Sequence, residues 1–179
     1  MYAQTLPPRG HLICAEPPSA EHPAQVHCAE QQNQLLGAVA TPWTMRLADD
    51  DVLFAHHIET LWPATEKADV IYSFDASGSR PRVVREGNDL ASLFQVTNWI
   101  DGSAVLYRTS LLRSVGGWPT RYEGTVGKDF HFVGSEAAFE DWACFYELAR
   151  AGARFLCVPK ETWWYNDGRH DRISRPLLN

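Results

Sequence analysis

The chain has 179 residues, 45% apolar and 21% charged, the balance of one globular domain rather than a disordered segment. Its formal charge is -6, and no lysine- or arginine-dense stripe is present, which argues against general nucleic-acid binding. Residues 1–10 carry no cationic-plus-apolar leader and no run of about 18 apolar residues appears, so a soluble chain without a membrane span is expected.

Four cysteines, Cys14, Cys28, Cys144 and Cys157, are scattered without a CxxC pair. They read as reduced, mostly buried thiols in a cytoplasmic setting, with a disulfide pairing left open by their even number. Seven tryptophans, six tyrosines and eight phenylalanines exceed what a core needs. Such a surplus also suits a site that stacks flat rings or sugar faces.

In chain order, 1–10 reads as an irregular start, punctuated by Pro7, Pro8 and Gly10. Strands are expected at 11–14 and 24–28, then a helix over 29–40 with Leu35, Leu36 and Val39 on one side. Pro42 breaks that helix, and 43–48 is the third strand. Helix is expected over 54–67, a buried strand over 69–74 and a Gly/Ser turn over 76–80. Short strands are expected at 83–84 and 90–94, then a strand at 102–107 and a short helix at 109–114 stopped by Gly116 and Gly117. Residues 118–136 show no periodicity, and a loop of that length in a compact domain is usually functional or mobile. An amphipathic helix over 138–149 closes on Ala151 and Gly152 as a C-cap. Strands follow at 153–158 and 162–165, and 166–179 reads as a flexible polar tail. Alternating strands and helices predict a single α/β domain with a largely parallel sheet.

Asp49, Asp50 and Asp51 end the apolar-leaning run 43–48. Carboxylates at i and i+2 of a strand end share a direction and could hold one hard divalent cation. Equally, they could form a solvated acidic turn that caps a helix starting near Leu53. Glu140 and Asp141 could be favourable charge at a helix N-terminus. His56 and His57 point about 100° apart on a helix and read as surface residues. Trp163 and Trp164 alternate on a strand, so one is core and the other faces a site.

Six segments in order resemble the family 2 inverting glycosyltransferases of GT-A fold. Ala48-Asp49-Asp50-Asp51-Val52-Leu53 resembles the DXD segment, and Ala68-Asp69-Val70-Ile71-Tyr72 the strand after the next helix. Gly102-Ser103-Ala104-Val105-Leu106-Tyr107-Arg108, with Gly116-Gly117-Trp118, resembles the stretch G-S-x-x-x-x-R … G-G-[FW]. Phe139-Glu140-Asp141-Trp142 resembles the E-D motif at a helix start. Gly152-Ala153-Arg154-Phe155 with Val158-Pro159 matches the next strand, and Tyr165, His170 and Ser174 the closing Y-x-x-H-x-x-x-S. The match spans 33–174.

The resemblance implies a GT-A-like three-layer sandwich around a mostly parallel, mixed sheet, and transfer of sugar from a UDP- or GDP-sugar to an acceptor hydroxyl. It implies Mn²⁺ or Mg²⁺ as cofactor, with Asp51 in direct contact, Asp49 at the ribose or metal, and His170 as a further ligand. Asp49, Asp50, Gly102 and Ser103 would line the donor site, Asp141 would be the general base, and Glu140 would orient it or touch the acceptor. One base without a covalent nucleophile implies inversion. The family opens on a hydrophobic strand and a P-[ST]-x-N loop, and no such strand precedes His11. An abbreviated nucleotide pocket is therefore expected, with Trp43, the N-terminal segment or a second chain as substitute. An incomplete sheet edge would favour a homo-oligomer. The alternative is a non-catalytic glycan- or protein-binding module on a shortened transferase fold. A two-metal phosphoesterase would need a histidine-rich ligand set that the chain lacks.

Overall fold

The computed structural model describes residues 6–13, 24–78, 82–87, 90–94, 98–120 and 140–166. Helix α1 spans Ala24–Ala38, so the strand expected at 24–28 is helix instead. The segment is rich in Ala and Gln, strong helix formers, and one valine does not outweigh them. The C-terminal carbonyls of α1 are capped from a distance. Arg113 Nη2 donates to Leu36 O at 2.7 Å, Gly37 O at 3.3 Å and Val39 O at 2.5 Å. Asn33 fixes the same helix by a two-way amide pair with the Trp118 backbone, at 2.6 and 2.8 Å.

Strand β1 is Trp43–Met45 and β2 is Val52–Leu53. Helix α2 covers only His57–Leu61 and passes into a 3-10 helix, Trp62–Glu66, where Pro63 sits in the first turn. Strand β3 is Val70–Asp75. Helix α3, Ala91–Phe94, stands where a strand was expected, and 82–86, which includes the strand expected at 83–84, has no regular secondary structure. Strand β4 is only Leu106–Arg108, followed by α4, Thr109–Ser114. Helix α5, Glu140–Arg150, ends on Gly152 at φ +81°, with Gly152 N–H on Ala149 O and Ala153 N–H on Leu148 O, both 3.0 Å. That is the expected glycine C-cap, in Schellman form. Strand β5, Phe155–Trp164, is one strand where two were expected. A register shift against β3 at Ser73, Phe74 and Asp75 absorbs Pro159 without ending the pairing. His11 to Ile13 form no strand, and Cys14 lies outside the described residues.

The five strands form one mixed sheet in the order β1-β4-β3-β5-β2, curled into a half-barrel. Only β3 and β5 pair in parallel; β1 with β4, β3 with β4 and β2 with β5 are antiparallel. The largely parallel sheet expected from alternating elements is therefore corrected. Element order fixes which strands exist, but β4 runs opposite to both of its neighbours.

Alternation along the strands feeds two apolar clusters. Val70, Tyr72, Tyr107, Phe155 and Cys157 join the larger, with Phe94, Phe145 and Leu148. Ile71 and Leu106 turn the other way, onto Leu61, Ala64 and Ala68. Phe145 is fully buried and stacks near Phe94 (5.8 Å) and Tyr107 (6.1 Å). Burying one such side chain is worth about 1.5–3 kcal/mol. Among the described residues no helix is long and apolar enough to cross a membrane, and Cys28, Cys144 and Cys157 are free thiols.

Candidate functional site

Strand β1 ends at Met45, before the acidic run. Residues 48–51 instead close a turn, with Asp51 N–H on Ala48 O at 3.3 Å. Asp49 and Asp50 are exposed on it, whereas Asp51 turns inward and is 8% exposed. The shared direction of a strand end is lost because the segment is not extended. Nor does Asp51 cap a helix, since β2 follows and His56 occupies the cap of α2. Asp51 Oδ1 accepts Asn166 N–H at 3.0 Å, and its carboxylate also accepts the Ser103 hydroxyl. Burial, reinforced by repulsion from Asp101 and Asp50, pushes its pKa up to about 6 despite those two hydrogen bonds.

The turn 101–104 lies against Asp51. Asp101 Oδ1 accepts Ser103 N–H at 2.9 Å, and Ser103 Oγ accepts Ala48 N–H at 3.2 Å. Ala104 sits at φ +60°, an uncommon conformation for a non-glycine residue, and its N–H donates to Arg46 O at 2.9 Å. Such strain persists where the surroundings over-determine it, often at functional sites. Gly102 donates its N–H to Asp141 Oδ2 at 3.2 Å. A Cβ on Gly102 would stand 2.6 Å from Asp141 Cβ and 2.7 Å from Arg46 Nη1, so only glycine fits without displacement.

Glu140 and Asp141 open α5, where the helix dipole favours negative charge. The structure separates their roles. Glu140 is 7% exposed and ion-paired to Arg46, Oε1 to Nη1 at 3.1 Å. Asp141 is half-buried, and its Oδ1 accepts Trp142 N–H at 2.7 Å. Desolvation first, then repulsion from Glu140 and Asp101, raises its pKa to about 6, opposed by Arg46. Asp51, Gly102, Ser103, Glu140 and Asp141 are thus brought into one network. Asp49 and Asp50 remain on its solvent side. His170, the tail arginines Arg169, Arg172 and Arg175, and residues 121–136 of the long loop lie outside the described residues.

Beside this network is a small cleft open to solvent, with about 20 Å³ of enclosed space, lined in part by Ser73, Asp75, Trp99, Asp101, Ser103 and Trp163. Trp163 is the buried member of its pair and also faces the cleft; Trp164 is half-buried. Behind Ser73 runs a chain of short contacts, Ser73 Oγ to Thr162 Oγ1 at 2.6 Å and Thr162 Oγ1 to His57 Nδ1 at 2.7 Å. His57 was expected on a helix surface but is fully buried, and burial lowers its pKa to about 4. His56, next to it, is exposed as expected. Trp43 packs under the Arg108 guanidinium at 4.8 Å, which occupies one face of that ring.

Three site residues were not read from the sequence. Arg46 is a lone cation in an apolar-leaning run, a signal that a buried partner must exist. Asp101 stood in plain view as an Asp-Gly turn dipeptide. Asn166 gave no signal, because its contribution is a backbone N–H. Among the described residues, no group of three or more His, Cys, Asp or Glu is placed to hold a metal. In chemistry carboxylate oxygens such as those of Asp49 and Asp51 suit a hard divalent cation, and the smaller part of the Asp51 shift, repulsion from Asp101 and Asp50 added to burial, is of the kind a cation relieves. No family model matches the chain, and no match was found among curated proteins.

Proposed function

We propose that the chain is an inverting glycosyltransferase, moving a sugar from a UDP- or GDP-linked donor to an acceptor hydroxyl on a GT-A-like three-layer fold. One observation carries this reading. The turn 101–104 holds both acidic segments at once, Asp141 through the Gly102 N–H and Asp51 through the Ser103 hydroxyl. The residues that resemble the DXD and E-D motifs thereby share one scaffold although about 90 positions separate them.

Asp141 is the general base of this reading. A pKa near 6 leaves it ionised at neutral pH and a better proton acceptor than an ordinary carboxylate. It takes the acceptor hydroxyl proton as that oxygen bonds to the anomeric carbon. The bond to the diphosphate oxygen breaks, and its electron pair leaves with the nucleotide. Single displacement inverts the anomeric centre. Asp49, Asp51 and His170 would hold Mn²⁺ or Mg²⁺, which when bound supplies charge neutralisation at the leaving diphosphate. Gly102, lacking a side chain, lets Asp141 and Arg46 pack directly against the turn that would face the donor. A cytoplasmic setting and self-association through a sheet edge belong to the same reading.

Calorimetry with UDP and GDP, with and without Mn²⁺, tests it. Metal-dependent binding in the wild type, lost in Asp51→Ala and kept in Asp141→Asn, is the expected result, with sugar transfer abolished in both variants. Absence of nucleotide binding and of turnover with every donor would overturn it. The non-catalytic glycan- or protein-binding module would then stand, favoured by an Asp51 carboxylate already engaged by Asn166 and Ser103.

A further inference from the structure

We propose that Arg46 is a positioning residue of this site: its guanidinium ties down Glu140 and so leaves Asp141 as the carboxylate that meets the acceptor. The role given to Asp141 rests on the transferase reading; the coupling of Arg46 to the carboxylate pair does not.

Arg46 touches three segments that otherwise have no covalent or sheet connection at the site. Its Nη1 pairs with Glu140 Oε1 at 3.1 Å, with the two side chains 19% and 10% exposed. The same nitrogen packs against Gly102, where a Cβ would come within 2.7 Å of it. Its carbonyl oxygen accepts the N–H of Ala104, the residue at φ +60°, and so fastens the strained end of the turn. Its Nη2 reaches Cys28 Sγ on α1 at 3.9 Å. A buried carboxylate left without its partner is strongly unfavourable, so Glu140 has no competing use while Arg46 is present. Two adjacent carboxylates are thereby made unlike. Glu140 is buried and ion-paired, whereas Asp141 is partly open and, among the described residues, accepts hydrogen bonds from the backbone N–H groups of Gly102 and Trp142.

The groups around Asp141 are few in kind. Glu140 and Cys144 face it from α5, Asp101 and the Gly102 N–H from the turn, Tyr107 from β4, and Arg46 from beyond β1. Among the described residues Arg46 is the cation of this set, so with Glu140 still ionised its removal raises Asp141. Losing an opposite charge at this range raises a carboxylate by about one unit or more.

The test is a ¹³C NMR titration of the Asp141 side-chain carboxyl in the full chain, assigned by its loss in Asp141→Asn, on wild type, Arg46→Met and Arg46→Lys. Arg46→Met is expected to raise the Asp141 midpoint by about one unit, and Arg46→Lys to restore most of it. A lowered melting temperature in Arg46→Met with an unmoved Asp141 midpoint would mean a purely structural role and overturn the proposal. If Arg46→Met does not fold, Arg46→Lys decides. A point charge that cannot match the guanidinium fork should still hold the Asp141 midpoint near wild type, and a shift of a unit would overturn the proposal. The two readings fail separately. A midpoint that moves as expected in a chain that binds neither UDP nor GDP with Mn²⁺ retains the Arg46 coupling and removes the transferase. Nucleotide binding with an unmoved midpoint removes only the role of Arg46.

Discussion

Asp141 and Gly102 are locked together, so each substitution reports on the other. Gly102→Ala drives a methyl into Asp141 Cβ and Arg46 Nη1, both part of a packed network with no room to yield. Overpacking of this kind costs about 1–3 kcal/mol. The variant should melt several degrees lower, as a thermal scan would read, and on the proposed reading it should transfer no sugar in an activity assay. Asp141→Asn should instead change how stability depends on pH. The folded carboxyl titrates near 6, above its ordinary value of 3.8, so the fold carries an unfavourable charge above pH 6 that is relieved as pH falls towards 3.8. Asparagine removes that charge but keeps one acceptor oxygen, so one of the two N–H bonds, from Gly102 or Trp142, is lost at every pH. Relative to wild type, unfolding should therefore show Asp141→Asn gaining about 1–3 kcal/mol of stability between pH 4 and pH 8. An equal difference at both pH values would remove the electrostatic explanation. The different roles expected of Glu140 and Asp141 came from the family resemblance alone. Arg46, which pairs with Glu140 at 3.1 Å, is the physical reason that two adjacent acids differ, and no local pattern signals it.

At the scale of elements, α5 packs through Phe145 against rings carried by α3, β4 and β5. Phe145 is fully buried between Phe94, Tyr107 and Phe155. Phe145→Ala should therefore lose about 3–5 kcal/mol, measured by urea unfolding, and loosen the helix start that presents Glu140 and Asp141. The sequence made α5, α4 and β3 legible because each combines a periodic apolar face with a clear stop. It misled where local signals were short. At 90–94 four residues of apolar character fit strand or helix equally, and packing against α5 selected helix. At 102–105 the residues looked like strand, yet Ala104 at φ +60° places them in a turn. At 159–161 a proline suggested a break that a bulge absorbs. The two acidic segments were found from their residue types. Their linkage through 101–104 was not, because it depends on backbone N–H and hydroxyl groups that carry no sequence pattern.

Across the whole molecule, pH acts through buried groups of opposite sense. His57 is neutral in the fold, with a pKa near 4 against an ordinary 6.5. As pH falls from 6.5 towards 4 the unfolded chain takes up a proton that the folded chain refuses, and stability is lost. Asp51 and Asp141, both raised to about 6, contribute the other way over the same range. The difference between wild type and His57→Gln isolates the histidine. Relative to the variant, the wild type should lose up to about 3 kcal/mol between pH 6.5 and 4, read as the change in urea midpoint. A constant difference would place His57 in contact with water. The clamp on Asp51 has a consequence in time as well as space. Its hydrogen bond from Asn166 spans 115 positions, and β2, which follows Asp51, pairs only with the far end of β5. The contacts of Arg46 with Glu140 and of Gly102 with Asp141 join segments that all precede β5. The clamp closes on Asp51 only once the end of β5 and Asn166 have followed them out of the ribosome. It is therefore the last of these contacts that vectorial synthesis allows.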